Sequence, residues 1–261
     1  MKKSQNGLTA ALDLGPKEHV AVVGGGGKST LCFALAEALH LAGARVISST
    51  TTKVRQEEAN AFPRLTLCVS GRPDVNALKK GLDENGIVFV GREFLQNGKV
   101  EGISSTVADE FFRMPAVDYV IVEADGAAGR PVKAPAAHEP VIPQSVTLVI
   151  ALMGLTALGK PLGPEVVFRP ALFGRLTGLS EGDSLTPEGL SKAFDGKAGL
   201  FKNTPASARR VVFLNQLDTL PDHGAAHDLA GQVILKHPFV NLVVLGSFRN
   251  NEFITIHREK I

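Results

Sequence analysis

Short, uninterrupted apolar runs alternate along this chain with longer segments in which apolar residues recur every three to four positions. The runs at 19–24 (HVAVVG), 45–50 (RVISST), 65–70, 119–125 (YVIVEAD), 147–153 and 210–215 are rich in Val, Ile and Leu. They lack polar alternation, as strands covered on both faces do. Helical spacing occupies 28–41, closed by Gly43, then 73–82 with Pro73 in its first turn, and 106–114. Strands at 241–247 and 253–257 complete the pattern. Strand–helix alternation of this kind predicts an α/β fold, a three-layer sandwich built on a mostly parallel sheet. Runs at 87–93 and 99–104 flank Gln96-Asn97-Gly98, a turn signal that predicts a β-hairpin insertion near 87–104. The stretches 126–144 and 157–187 are rich in Gly and Pro and too long for ordinary connectors, which predicts functional loops or lids. No repeat or linker divides residues 1–261, so one domain is expected.

Composition narrows the setting. Apolar residues make up 44% and charged residues 21%, and the net charge of +2 argues for neither a nucleic-acid nor a membrane partner. Cys32 and Cys68 have no metal-ligand spacing and fit a reducing compartment. No apolar run approaches the ~20 residues of a membrane span, and the first residues lack the apolar core of a secretory signal. A cytoplasmic protein is expected.

The first strand runs directly into glycines. Residues 20–30 read VAVVGGGGKST. Glycines let a backbone wrap closely round phosphates, and the following helix start favours an anion. Gly24, Gly25, Gly26 and Gly27 are the expected cradle, with Lys28 neutralising terminal phosphates, Ser29 ligating Mg²⁺ and Thr30 completing the turn. Val22 stands where the long P-loop pattern has its first glycine. The shorter G-x-x-G-K-[ST] is met, and it resembles the loop of the Mur ligase and folylpolyglutamate synthase families. A P-loop NTPase-like fold binding a nucleoside triphosphate, GTP or ATP, with Mg²⁺ is therefore expected.

Two further strand ends bear on that chemistry. Glu123 and Asp125 are two apart at the end of an apolar run, so an ideal strand directs both to one side. Asp125 is expected to hold Mg²⁺ and Glu123 to orient the nucleophile. Arg130 and Lys133 follow at once, and can stabilise transferred charge, bind a second anion or form a solvated loop. Thr51 lies in Thr50-Thr51-Thr52, whose hydroxyls either reach the metal and terminal phosphate or cap a turn. Asn215-Gln216-Leu217-Asp218 ends another apolar run and is similar to the base-reading motif of GTP-binding proteins. The Asp218 carboxylate can accept from the N1–H and exocyclic amine of guanine while Asn215 braces the loop; the alternative is a simple turn. His223 and His227, four apart, lack a third ligand and read as a helix start.

Taken together, GGGGKSTL, STTTK, VEADGAAGRPVKAPAAHEPVIP, GLTALGKPL, FRP, LTPEGL and FLNQLD resemble the YqeC-type selenium-dependent hydroxylase accessory proteins, also called the selenium cofactor biosynthesis family. The resemblance implies a P-loop protein acting in maturation of molybdenum hydroxylases that carry selenium, with a molybdopterin-type cofactor or a hydroxylase maturation partner. Three activities remain open at this point: a nucleotide-hydrolysing or phosphate-transferring enzyme, a non-catalytic chaperone for a phosphorylated molybdopterin-type cofactor, and a small-molecule kinase.

Overall fold

The computed structural model describes residues 7–62, 65–67 and 74–258. Among them lies a nine-stranded sheet of order β14-β13-β12-β10-β1-β8-β2-β5-β4. The strands are β1 (Glu18–Gly24), β2 (Val46–Thr50), β4 (Leu65–Leu67), β5 (Ile87–Gly91), β8 (Tyr119–Glu123), β10 (Leu148–Gly154), β12 (Arg209–Asn215), β13 (Leu242–Ser247) and β14 (Glu252–His257). All neighbours run parallel except β13 and β14. The apolar, β-branched runs of the sequence are these strands.

Alternation along each strand divides the core into two layers. Val20, Val22, Ile121, Ile150 and Phe213 pack on the face covered by α1 (Leu8–Ala11) and α2 (Lys28–Leu41). Ala21, Val23, Val149, Val212 and Val243 face the other way, toward α8 (Gly224–Lys236) and α7 (Pro187–Ser191). Farther along that face, Ile47, Val88 and Val120 meet α4 (Val75–Asn85) and α5 (Ser105–Arg113). The result is the expected three-layer, P-loop NTPase-like sandwich, with the glycine loop at the carboxyl end of a central strand.

Several boundaries differ from the sequence pattern. The first arm of the expected hairpin, Ile87–Gly91, is fully buried and lies in the main sheet between β2 and β4. Two covered faces demand unbroken apolar residues, which this run has and a solvated hairpin does not. The hairpin itself is β6 (Glu93–Leu95) with β7 (Lys99–Glu101), and β3 (Lys53–Arg55) joins it on the other side of β7. Helix α4 starts one residue after Asp74, whose carboxylate accepts from the Asn76 and Ala77 amides; Pro73 lies outside the described residues, as do 68–70 with Cys68. Strand β8 stops at Glu123, before Asp125. The stretch 157–187 contains β11 (Val167–Phe168) and α6 (Pro170–Thr177), and β11 pairs with β9 (Val132–Lys133) from the stretch 126–144. Leu162, Val167, Phe173 and Leu185 bury into the core, so these long connections are packed walls as well as loops. No helix among the described residues is long and apolar enough to cross a membrane.

One buried group makes the fold sensitive to acid. His19 is fully buried in β1, with Nδ1 2.9 Å from the Ser145 hydroxyl. Burial lowers its pKa from 6.5 to about 4, although Asp109 nearby acts in the opposite sense. Between those values the unfolded chain takes up a proton that the native chain refuses, so stability falls as pH drops through this window. We expect His19→Gln to reduce that fall, measured as the change in urea midpoint between pH about 7 and about 5; an identical pH dependence in the variant would refute the assignment.

Candidate functional site

The site is built where β1 ends and α2 begins. Gly27, at φ 120°, caps the helix in a backbone conformation that residues with a Cβ rarely adopt, and a Cβ there would come within 2.7 Å of Asn215 Nδ2. Asn215 uses that space to donate to the Gly26 carbonyl at 2.7 Å. The end of β12 thus braces the loop directly.

Three of the four glycine amides have protein acceptors. Gly24 donates to Asp125, Gly25 to the Leu152 carbonyl at 2.9 Å, and Gly26 to the Arg130 carbonyl at 3.0 Å. The N–H groups with no intrahelical partner are those of the first turn of α2, from Lys28 through Ser29 to Thr30. The anion-seeking end of the loop therefore lies one turn later in the chain than the glycines alone suggest.

Lys28 is buried and its ammonium closes a compact charge cluster. Nζ lies 2.8 Å from the Gly24 carbonyl and 3.4 Å from both Glu123 Oε1 and Asp125 Oδ1. Burial by itself would lower this ammonium's pKa; the two carboxylates more than offset it and hold the pKa above the usual lysine value. Glu123 is held above the usual carboxylate value. Burial raises its pKa, Lys28 and the Ser29 hydroxyl oppose the rise, and Asp125 and Glu58 add to it. Ser29 Oγ donates to Glu123 Oε2 at 3.0 Å. A hydroxyl and a half-buried carboxylate thus share the mouth of the loop.

Asp125 was expected to hold Mg²⁺ together with Ser29. It lies instead behind the loop, fully buried, with Oδ1 and Oδ2 3.1 and 3.0 Å from the Gly24 amide and Oδ2 3.0 Å from Lys133 Nζ. Lys133 in turn is fully buried, neither a solvated cation nor one free for transferred charge. It donates to Glu139 Oε2 at 2.8 Å and to the Gly126 carbonyl at 2.6 Å. Arg169 completes the chain with Nη1 2.5 Å and Nη2 3.2 Å from the two oxygens of Glu139. Burial would raise the Glu139 pKa, but Arg169 and Lys133 bring it down to about 2. The reason for this order is simple: an apolar wall can hold a carboxylate only if cations and amides surround it. Arg130, by contrast, points outward, half-exposed and 3.7 Å from Glu165.

By sequence Glu139, in His138-Glu139, either continues the site or sits at the surface, and Arg169 carries no weight in a reading of spacing alone. Arg169 lies far along the chain and caps α6 from a left-handed conformation at φ 66°. The only signal was the charged residues embedded in the apolar, proline-rich segments around them. Thr51 donates to the Val141 carbonyl at 2.8 Å, tying the end of β2 to the same wall. On the far side of the loop, Asp218 Oδ1 accepts from Ser247 Oγ at 2.7 Å, joining the ends of β12 and β13. Gln216, at φ 69°, accepts from the Thr156 hydroxyl at 3.0 Å. His223 caps the start of α8 and His227 follows on it; among the described residues there is no cluster of three or more metal-ligating side chains. Cys32 is buried and free, its thiol pKa raised by burial, as expected of a core residue.

A strand–glycine loop–lysine–helix unit at the centre of a parallel sheet, with an acidic neighbouring strand, defines the P-loop class of α/β protein. The YqeC protein family matches residues 20–171. The "Uncharacterized protein YqeC" of Escherichia coli is 33% identical over 258 residues, covering 97% of this chain and 98% of that protein. The chain belongs to the YqeC family. A solved structure of the signal recognition particle 54 kDa protein from Aeropyrum pernix, in complex with GDP, is similar over 95% of this chain at 15% identity with a TM-score of 0.41. The chain spans 45% of that protein.

The buried chain of charges gives a direct test. Lys133→Met leaves two carboxylates facing each other without their shared cation, and should lower unfolding free energy by about 3–5 kcal/mol. Adding Glu139→Gln to that variant should restore part of the loss, and the coupling is read from a double-mutant cycle in urea. Additive losses would show that the two groups do not act as one unit.

Proposed function

We propose that this protein is a cytoplasmic, Mg²⁺-dependent nucleotide-binding protein that hydrolyses or transfers a terminal phosphoryl group. The observation that carries the reading is Lys28 at the start of α2, beside Ser29 and Glu123, on a loop that ends a central parallel strand. In this reading the first-turn amides of α2 take the phosphates, and the Lys28 ammonium turns from its carboxylates to the terminal phosphate oxygens.

The donor set suits Mg²⁺, a hard cation that favours hydroxyl and carboxylate oxygens and keeps several waters. Ser29 and Glu123 are the two such groups bonded to each other at the loop mouth. Asp125 is engaged with Gly24, Lys28 and Lys133, and we assign it to positioning rather than to the metal. When bound, Mg²⁺ would offset charge on the phosphates. Glu123 would also orient the attacking group at the loop mouth. Arg130, half-exposed at the loop, is the cation left to meet transferred charge or a partner anion.

For the base, we assign Asp218 and Asn215. Asp218 is held through one oxygen by Ser247, a hydrogen bond that orients its carboxylate, and Asn215 is anchored to the loop. A guanine ring offers two donors to such a carboxylate; adenine offers no such pair. The place of the activity, in maturation of a molybdenum/selenium hydroxylase and its molybdopterin-type cofactor, rests on the family resemblance alone.

Nucleotide binding is checked by calorimetry. Lys28→Ala should weaken triphosphate affinity by about tenfold or more, on the order of 1.4 kcal/mol, and unchanged affinity would remove the P-loop assignment. Competition among GTP, ATP, XTP and CTP tests the base. GTP should be favoured over ATP by ~1–3 kcal/mol, and Asp218→Asn should shift the preference toward XTP. Equal affinities for all four in both proteins would reduce the motif to a turn.

A further inference from the structure

The nucleotide, as proposed, occupies one half of the sheet's carboxyl edge. From the loop on β1 it extends past β10 to Asp218 and Ser247 at the ends of β12 and β13. Beyond Glu123 at the end of β8, the same edge continues over the ends of β2 and β5, which the proposed nucleotide does not use. In open α/β sheets this edge is where ligands bind.

A cavity of about 340 Å³ lies there, at the ends of β2 and β5. The hairpin insertion forms its outer wall. Gly102, just past β7, donates to the Thr52 carbonyl at 2.6 Å, and Ile103 donates to the Thr50 carbonyl at 2.9 Å. A Cβ at Gly102 would sit 2.3 Å from the Thr50 carbonyl oxygen and 2.5 Å from that of Thr52, so the hairpin can seat this closely only through a glycine. Thr51, Thr52 and Lys53 line one side, and Arg92, Ile103 and Ser104 line the other.

Charge decides what such a cavity accepts. Its lining carries two cations, Lys53 and Arg92, against one carboxylate, Glu101. Arg92 pairs with Glu101 at 3.4 Å; Lys53 has no ion-pair partner among the described residues. The cavity also adjoins the proposed reaction centre. The Thr51 amide donates to the Glu123 carbonyl at 3.0 Å, and the Glu123 carboxylate holds Ser29.

We propose that this cavity is a second binding site, for a small oxyanion or an organic molecule that presents one, beside the terminal-phosphate end of the P-loop. Lys53 supplies the free charge and Arg92 a directional donor pair. Its part in a reaction rests on the nucleotide reading above; its ability to bind an anion does not. A molecule held there would be the second ligand of the P-loop site, which favours transfer to an acceptor over simple hydrolysis.

The test is calorimetry with two probes, inorganic phosphate and malonate, on the full chain alone and saturated with nucleotide. One probe should bind nucleotide-saturated protein saturably at a single site, and the Lys53→Ala/Arg92→Ala double variant should weaken it by about tenfold or more. Both side chains are solvent-reaching, so the fold should survive, and nucleotide affinity should stay within about twofold. A stronger response to phosphate marks a phosphate-bearing ligand, and a stronger response to malonate a carboxylate. Absence of saturable binding by either probe, or binding unaltered in the double variant, overturns the proposal. The nucleotide titration, run without probe, reports separately: if nucleotide fails to bind while anion binding still depends on Lys53 and Arg92, the P-loop reading falls and the anion site stands.

Discussion

The carboxylate of Asp125 is the point on which the site turns. It is fully buried, and it holds the Gly24 amide, approaches Lys28 and pairs with Lys133. A buried carboxylate without such partners would cost several kcal/mol. Its need for partners dictates the conformation at the end of β1 and the inward course of the segment that carries Lys133. The need passes onward, because Lys133 requires Glu139, and Glu139 requires Arg169. Four charges from three separate stretches of chain thereby become one unit beneath the glycine loop.

That unit explains why long, proline-rich connections are ordered walls. The stretch 126–144 brings Lys133 and Glu139, and the stretch 157–187 brings Arg169; the two meet as a short parallel ladder of β9 with β11. Apolar residues such as Val132, Val167 and Phe173 bury beside the charges. Packing and ion pairing here are not alternatives. The apolar wall lowers the local dielectric, which strengthens every pair inside it and penalises any group left single.

The carboxyl edge of the sheet then divides in two at the glycine loop. On one side of the loop the ends of β12 and β13 are joined through Asp218 and Ser247; on the other, the ends of β2 and β5 meet a hairpin that closes a cationic cavity. Glu123 stands between, bonded to Ser29 by its side chain and to Thr51 by its backbone. A single strand end thus links the Ser29 hydroxyl, the loop lysine and the neighbouring cavity.

Local patterns in the chain were enough for much of this. Unbroken Val/Ile runs can be satisfied only by strands covered on both faces, so the parallel sheet, α2 and the glycine loop with Lys28 were legible directly, since each depends on neighbours close in sequence. The same holds for Cys32 as a core residue. The placement of Ile87–Gly91 inside the main sheet was not legible, because two short apolar runs around an Asn-Gly turn look alike whether they pair with each other or with distant strands. Nor was the division of labour between Glu123 and Asp125: two residues apart, they would share a face in an ideal strand, but β8 ends at Glu123 and the chain turns Asp125 inward. Lys133 reads as a candidate for transferred charge, and nothing in the sequence joins it to Glu139 and Arg169 until folding brings the three within hydrogen-bonding distance. Sequence sets what each segment can become; long-range burial of charge, which no local pattern encodes, decided which of those charges face one another.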